Sequence, residues 1–160
     1  MKKMTIKINR LKLENHPKLI ELTNGDIFNQ KQSRYINQIS ESQLLILFSN
    51  IQLNVINGVD GEYLLLAPNT IFCSLLSHPA ARYMSVNLLI HEAYDDALIE
   101  LIDTLNLVLP SLSFLEISNK SKTINIRHKQ LKKMGYKPTT LKLLSQLANK
   151  NNSTFSKVGR

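Results

Sequence analysis

Nine cationic or imidazole side chains crowd a short stretch near the end of this 160-residue chain: Lys120, Lys122, Arg127, His128, Lys129, Lys132, Lys133, Lys137 and Lys142. Phosphates suit such a cluster, because each one neutralised releases a condensed counterion. A helix over residues 127–134 would put Lys129, Lys132 and Lys133 on one face by their i, i+3 and i+4 spacing. That face would follow a phosphate backbone. Tyr136 is placed to stack on a base or to pack against the same arm. The candidate nucleic-acid-binding residues are therefore Lys120, Lys122, Arg127, Lys129, Lys132, Lys133, Lys137 and Lys142.

Other residue types offer less. The four histidines, His16, His78, His91 and His128, contain no i, i+4 pair and no H-E-x-x-H motif. His91-Glu92 with Asp95 and Asp96 has two readings. It is either a cation site of one imidazole and carboxylates, or the solvated start of a helix, where acids suit the dipole. Carboxylates of a divalent-metal nuclease would activate water, but no lysine or arginine stands nearby to hold the phosphate. Ser74 and Ser77-His78 suggest a nucleophile and base, yet no Gly-x-Ser-x-Gly elbow is present, and Ser-His-Pro also reads as a helix end. The five glycines are widely separated and make no phosphate loop. The single Cys73 excludes an internal disulfide framework and a multi-cysteine zinc site. It falls in an apolar helical pattern, which predicts a buried, inert thiol.

Charge is partitioned along the chain. Residues 1–34 carry eight Lys/Arg against three Asp/Glu, and residues 35–116 carry Arg82 alone against nine acids. Residues 117–160 carry eleven basic residues and no acid. The balances are +5, −8 and +11 within a net +8. A like-charged block marks an interaction arm. Three partners fit it: a nucleic acid, an acidic protein or second copy, or the chain's own acidic body. Apolar residues at 43% and charged residues at 20% read as globular. No apolar run approaches the ~18 residues of a membrane span. Met1-Lys2-Lys3 is followed by polar residues rather than an apolar segment, so neither a secretory signal nor a membrane partner is expected. A reduced, cytoplasmic setting is the default.

The elements that must carry these residues follow from pattern. Residues 4–14 alternate, with Met4, Ile6 and Ile8 opposite Lys3, Thr5 and Lys7, as in an edge strand. His16-Pro17 breaks it. Lys18–Leu22 fits strand or helix, and Asn24-Gly25-Asp26 is a turn. Ser40 or Ser42 caps a helix with Leu44, Leu45, Leu47, Phe48 and Ile51 on its apolar face. Asn50–Asn54 close that helix, and Val55-Ile56 begin a strand. Asn57-Gly58 and Asp60-Gly61 predict a hairpin returning through Glu62–Ala67. Pro68-Asn69 starts a short helix through Ile71, Phe72, Leu75 and Leu76, ended by Ser77-His78-Pro79. Met84–His91 is a strand. Asp95 or Asp96 opens a helix through Leu98, Ile99, Leu101, Ile102, Leu105 and Val108, stopped by Pro110. Ser111–Ile117 is a linker or brief strand. Leu131–Tyr136 is a short helix ended by Gly135. Thr139 or Thr140 caps a last helix, whose Leu141, Leu144, Leu147 and Ala148 stripe packs on the body or a partner.

From Ile27 to Leu109 this order resembles the ParB/sulfiredoxin-like domain, the nuclease-like N-terminal module of ParB partition proteins. Asn29-Gln30-Lys31-Gln32-Ser33-Arg34 resembles the family's N-x-x-Q-x-R opening, and Glu41–Leu53 its next helix. Asp60-Gly61-Glu62-Tyr63-Leu64-Leu65-Leu66-Ala67 resembles its G-x-Y-x-L-I-A-G hairpin. Residues 71–91 resemble its small helix and following strand. The resemblance implies a G-E-R-R motif gripping nucleotide phosphates, but Pro68-Asn69-Thr70-Ile71 stand there. It implies a later E-N-x-x-R motif, but Glu100, Asp103, Thr104 and Asn106 precede no arginine. A triphosphate needs cationic donors, so nucleotide hydrolysis is not expected. The sulfiredoxin cysteine is not recovered by Cys73.

The expected architecture is an α+β fold with a small mixed sheet and packed helices, ParB/sulfiredoxin-like over 1–110, plus a basic helical arm over 111–160. The expected function is non-catalytic: a DNA-associated accessory protein of plasmid or mobile-element type. Its arm would bind phosphates with little sequence preference, since Thr139–Ala148 and Ser153-Thr154-Phe155 resemble only the first half of a helix-turn-helix. Its acidic body would bind a protein partner. No cofactor and no metal is expected. The alternatives are a protein-interaction module or inhibitor without DNA binding, and a metal-dependent nuclease or nucleotide hydrolase. The oligomeric state stays open.

Overall fold

The computed structural model describes residues 1–24, 34–113, 120–152, 154 and 155, with Ser113, Lys120 and Ser121 described in backbone only. The turn expected at Gly25-Asp26, the opening at residues 29–33 and the linker at residues 114–117 lie outside the described residues.

Alternation sets the first strand. In β1 (Lys2–Lys7), Met4 and Ile6 are half-buried while Lys3, Thr5 and Lys7 are exposed. The strand expected over 4–14 is in fact two. A 3-10 turn at Ile8–Arg10 redirects the chain, held by the Ile8 N–H donating to the Met84 carbonyl at 2.9 Å. β2 (Leu13–Asn15) then joins a different part of the sheet. The segment after His16 is helical. In α1 (Pro17–Thr23), Pro17 loses nothing at the first position, and His16 Nδ1 accepts from the Lys18 N–H at 3.2 Å.

α2 (Glu41–Asn50) opens on a complete capping box between Ser40 and Gln43. It buries Leu44 and Phe48, with Ile51 just beyond. Leu45, expected on that face, is 56% exposed, because it lies a quarter-turn from Leu44. β3 (Gln52–Asn57) starts three residues earlier than Val55. The hairpin to β4 (Tyr63–Leu65) turns through Asp60 and Gly61, both at positive φ. In α3 (Thr70–Leu75) the cap is Asn69, whose side chain accepts from the Phe72 N–H at 2.9 Å. Pro68 thus precedes the helix rather than opening it. Phe72 and Leu75 point inward, so Ile71 and Cys73 face solvent, and the thiol expected to be buried is exposed.

β5 (Ser85–Ile90) completes a five-stranded mixed sheet of order β1-β5-β3-β4-β2. β1–β5 and β3–β4 are antiparallel; β3–β5 and β2–β4 are parallel. The lysine-bearing β1 is an edge, as expected. One face of the sheet carries the main core. Leu53, Val55, Val86, Leu88 and Ile90 pack there with Leu19, Leu44, Phe48, Phe72 and Leu75. The Phe48 and Phe72 rings meet edge-on, 6.1 Å apart at 86°. On the other face Ile56 packs with Leu66, Leu98 and Ile102.

Leu98 and Ile102 belong to α4 (Asp95–Asp103), which has Asp95 and Asp96 in its first turn. Pro110 does not stop this helix. The chain passes through a π turn at Thr104–Val108 into α5 (Leu109–Ser113), which contains Pro110. Proline has no N–H for the ladder, and the widened turn just before it absorbs the change of register. Asn106 fixes that turn by donating to the carbonyls of Ile102 at 2.7 Å and Leu66 at 2.9 Å.

The basic helix is longer than expected. α6 (Lys120–Lys133) has 14 residues and starts well before Leu131. α7 (Leu141–Leu147) follows, with Ala148 just past its end and exposed. No helix among the described residues is long and apolar enough to cross a membrane.

Candidate nucleic-acid interface

Local chemistry explains how α6 and α7 are bounded. Gly135, at φ 85°, ends α6: its N–H bonds the Lys132 carbonyl at 3.0 Å, and the Tyr136 N–H bonds Leu131 at 3.1 Å. This is the Schellman arrangement, which favours a residue free to take positive φ. Lys132 and Lys133 occupy the last turn, where cations offset the negative helix end. Thr140 caps α7 by accepting from the Leu143 N–H at 3.2 Å. Asn149, at φ 51°, closes α7 in the same way, with Lys150 N–H on the Ser145 carbonyl at 2.9 Å.

Packing decides which residues face out. α6 buries Asn125 and His128, and the Asn125 amide donates to the Phe155 carbonyl. α7 docks on the body. Leu147 packs against the main core, and Gln43 of α2 donates to Thr139 Oγ1 at 3.0 Å. The leucine stripe therefore has its place in the chain's own packing.

Lys122, Arg127, Lys129, Lys132, Lys133, Lys137 and Lys142 are all exposed. Of Lys120 only the backbone, at the start of α6, is described. By 3.6 residues per turn, Lys122, Lys129 and Lys133 form one stripe about 16 Å long, with Lys132 beside it. The longer helix adds Lys122 to the face expected for Lys129, Lys132 and Lys133. Arg127 lies about 160° round the helix from Lys129, so the helix separates those two. Lys137 follows α6 and Lys142 lies on α7. Tyr136 is 63% exposed.

A second cationic surface was not recognised in the sequence. Arg34, Tyr35, Gln146, Asn149, Lys150, Asn151 and Asn152 line an open groove of about 370 Å³. It joins the entry to α2 with the exit from α7. Arg34 and Lys150 are 116 positions apart, and no local pattern links them. The groove has two cations, four side-chain amides, one aromatic ring and no acid.

The remaining candidates resolve differently. His78 is buried; Nδ1 accepts from the Ala80 N–H at 3.1 Å, which leaves Nε2 to donate to the Ile39 carbonyl at 3.0 Å. Ser74 Oγ donates to Thr70 O at 2.8 Å and Ser77 Oγ to Ser74 O at 2.7 Å. The three side chains are committed to structure and do not form a nucleophile–base pair. His91 Nε2 bonds Asn54 Oδ1 at 2.9 Å. Its pKa is lowered, first by burial and then by the N-terminal ammonium, which strand pairing brings close by setting Lys2 opposite Ile90. No group of three metal-ligating side chains occurs among the described residues. Arg82, alone in its acidic segment, lies over the Tyr83 ring at 4.6 Å.

Pro68 and Asn106, from the two segments where phosphate-gripping motifs would fall, meet in one cleft of about 300 Å³. Leu22, Thr23, Leu105, Leu107 and Pro110 complete its lining, which contains no Lys, Arg or His.

No known protein family matches the sequence, and no curated protein does. Among solved structures, the chain is similar to the C-terminally truncated chromosome-partitioning protein ParB from Caulobacter crescentus, complexed with CTP-γ-S. The TM-score is 0.56 at 16% sequence identity, over 97% of this chain and 75% of that one. The two share a fold. A coverage of 97% cannot be reached without helices beyond residue 110, so the likeness includes part of the basic arm.

Proposed function

We propose that this protein is a non-catalytic, DNA-associated accessory protein. Its basic arm, residues 111–160, binds the phosphate backbone, and its ParB-like body, residues 1–110, engages a protein partner. The carrying observation is the exposed stripe of Lys122, Lys129 and Lys133 with Lys132 beside it. Lys137 and Lys142 are exposed beyond the end of the helix, Lys120 and Arg127 are the arm's further candidates, and the groove lined by Arg34 and Lys150 supplies two more cations. Binding of this kind is electrostatic and reads little sequence.

The Caulobacter crescentus protein is complexed with a cytidine nucleotide analogue. The cleft holding Pro68 and Asn106 has no cation in its lining to offset a triphosphate, so this reading assigns no nucleotide chemistry to the chain. The acidic segment, with Asp96, Glu100 and Asp103 exposed on α4, suits a protein rather than a nucleic acid.

Fluorescence anisotropy against labelled duplex and single-stranded DNA, over a salt series, tests the proposal. Binding that weakens steeply with salt, and that is lost on changing Lys122, Lys129 and Lys133 to alanine together, is the expected result. No binding at low salt removes the nucleic-acid role.

A further inference from the structure

We infer that a second copy of this chain docks by laying its α6 antiparallel along α4. On α4, Leu98 and Ile102 are buried, while Asp96, Ile99, Glu100 and Asp103 face solvent. On α6, Asn125 and His128 are buried, while Lys122, Ile126 and Lys129 face solvent. Each outer row thus has two like charges around one isoleucine, and the isoleucines are 52% and 56% exposed.

The spacings are mirror images. Asp96 to Ile99 is three residues and Ile99 to Asp103 is four. Lys122 to Ile126 is four and Ile126 to Lys129 is three. With the helices antiparallel and Ile126 set on Ile99, Lys122 meets Asp103 and Lys129 meets Asp96. Both rows span about 10 Å of helix axis. Glu100 flanks the pairing and adds a further acid.

Complementary charge and matching register within one sequence identify the occupant as another copy. Every copy has both rows, so a two-fold operator makes the contact twice and closes the dimer. A nucleic acid would take the lysines but leave Ile99 and the acids uncovered. This pairing goes beyond the nucleic-acid reading and does not rest on it. Because Lys122 and Lys129 serve both, the test uses nuclease-treated protein with no DNA added.

Sedimentation velocity over a concentration series, at about 50 mM salt and again at higher salt, reads the association. The full chain should dimerise at low salt and dissociate as salt rises. The double variants K122E/K129E and D96K/D103K should each associate about tenfold more weakly or less. Their equimolar mixture should dimerise again, since each then carries the row the other needs. I99S/I126S, which leaves every charge in place, should also weaken the dimer. A wild-type chain that stays monomeric overturns the inference. So does a charge variant that associates like wild type, a mixture that stays monomeric, or an I99S/I126S chain that dimerises unchanged.

Discussion

His78 holds Ile39 and Ala80 together through its two ring nitrogens. Ser-His-Pro in the sequence identified a helix end. Nothing local could reveal an acceptor 39 positions away, so catalytic and structural readings of this histidine looked alike until its partners were in place. Changing His78 to alanine leaves a buried N–H and carbonyl unpaired and opens a cavity, which should cost about 2–4 kcal/mol. Urea unfolding checks this; a loss under about 0.5 kcal/mol would assign those partners to water. His91 gives a pH signature. Burial and the N-terminal ammonium lower its pKa in the folded state, so the unfolded chain binds the proton more readily. Stability is then fully present above the unfolded value, about 6.5, and is lost as pH falls from there through the folded value. His16 is shifted the same way by burial and Lys18. Urea midpoints from neutral to mildly acidic pH should fall in the wild type and fall less in His91→Gln. Equal slopes would remove His91 as the cause.

Helix caps were legible because their chemistry is local. Ser40 and Ser42 were equivalent candidates by sequence, and Ser40 alone makes the capping box with Gln43. Ser40→Ala should cost about 1 kcal/mol and Ser42→Ala much less, by thermal or urea unfolding; equal losses would mean that the box contributes little. The hairpin at Asp60-Gly61 was equally readable. α6 was not, because its buried face is Asn125 and His128. A helix packed through polar side chains shows no apolar period, and its residues 120–126, ahead of any helix expected there, were therefore missed. Pro110 misled for a related reason: the π turn that accommodates it is held by Asn106 reaching to Leu66, a contact outside any sequence window.

The charge partition was the one long-range property open to counting, and it pointed to the arm as the candidate interface without giving its geometry. Lys122, Lys129 and Lys133 align only because α6 starts at Lys120. If each neutralises one duplex phosphate, their removal should lower the salt slope by about 2 to 3. Strand order was not open to counting. β1 and β2 adjoin in sequence yet close opposite edges of the sheet, and β1 completes its ladder only by setting Lys2 against Ile90. That register has a consequence for synthesis. From residue 2 to residue 90 a ribosome adds 88 residues, which takes about 4–18 s at roughly 5–20 residues per second. Throughout that interval the first strand has no mate. Its lysines keep neighbouring nascent chains from pairing with it, so the charge on this edge protects the unfinished protein as well as the finished one.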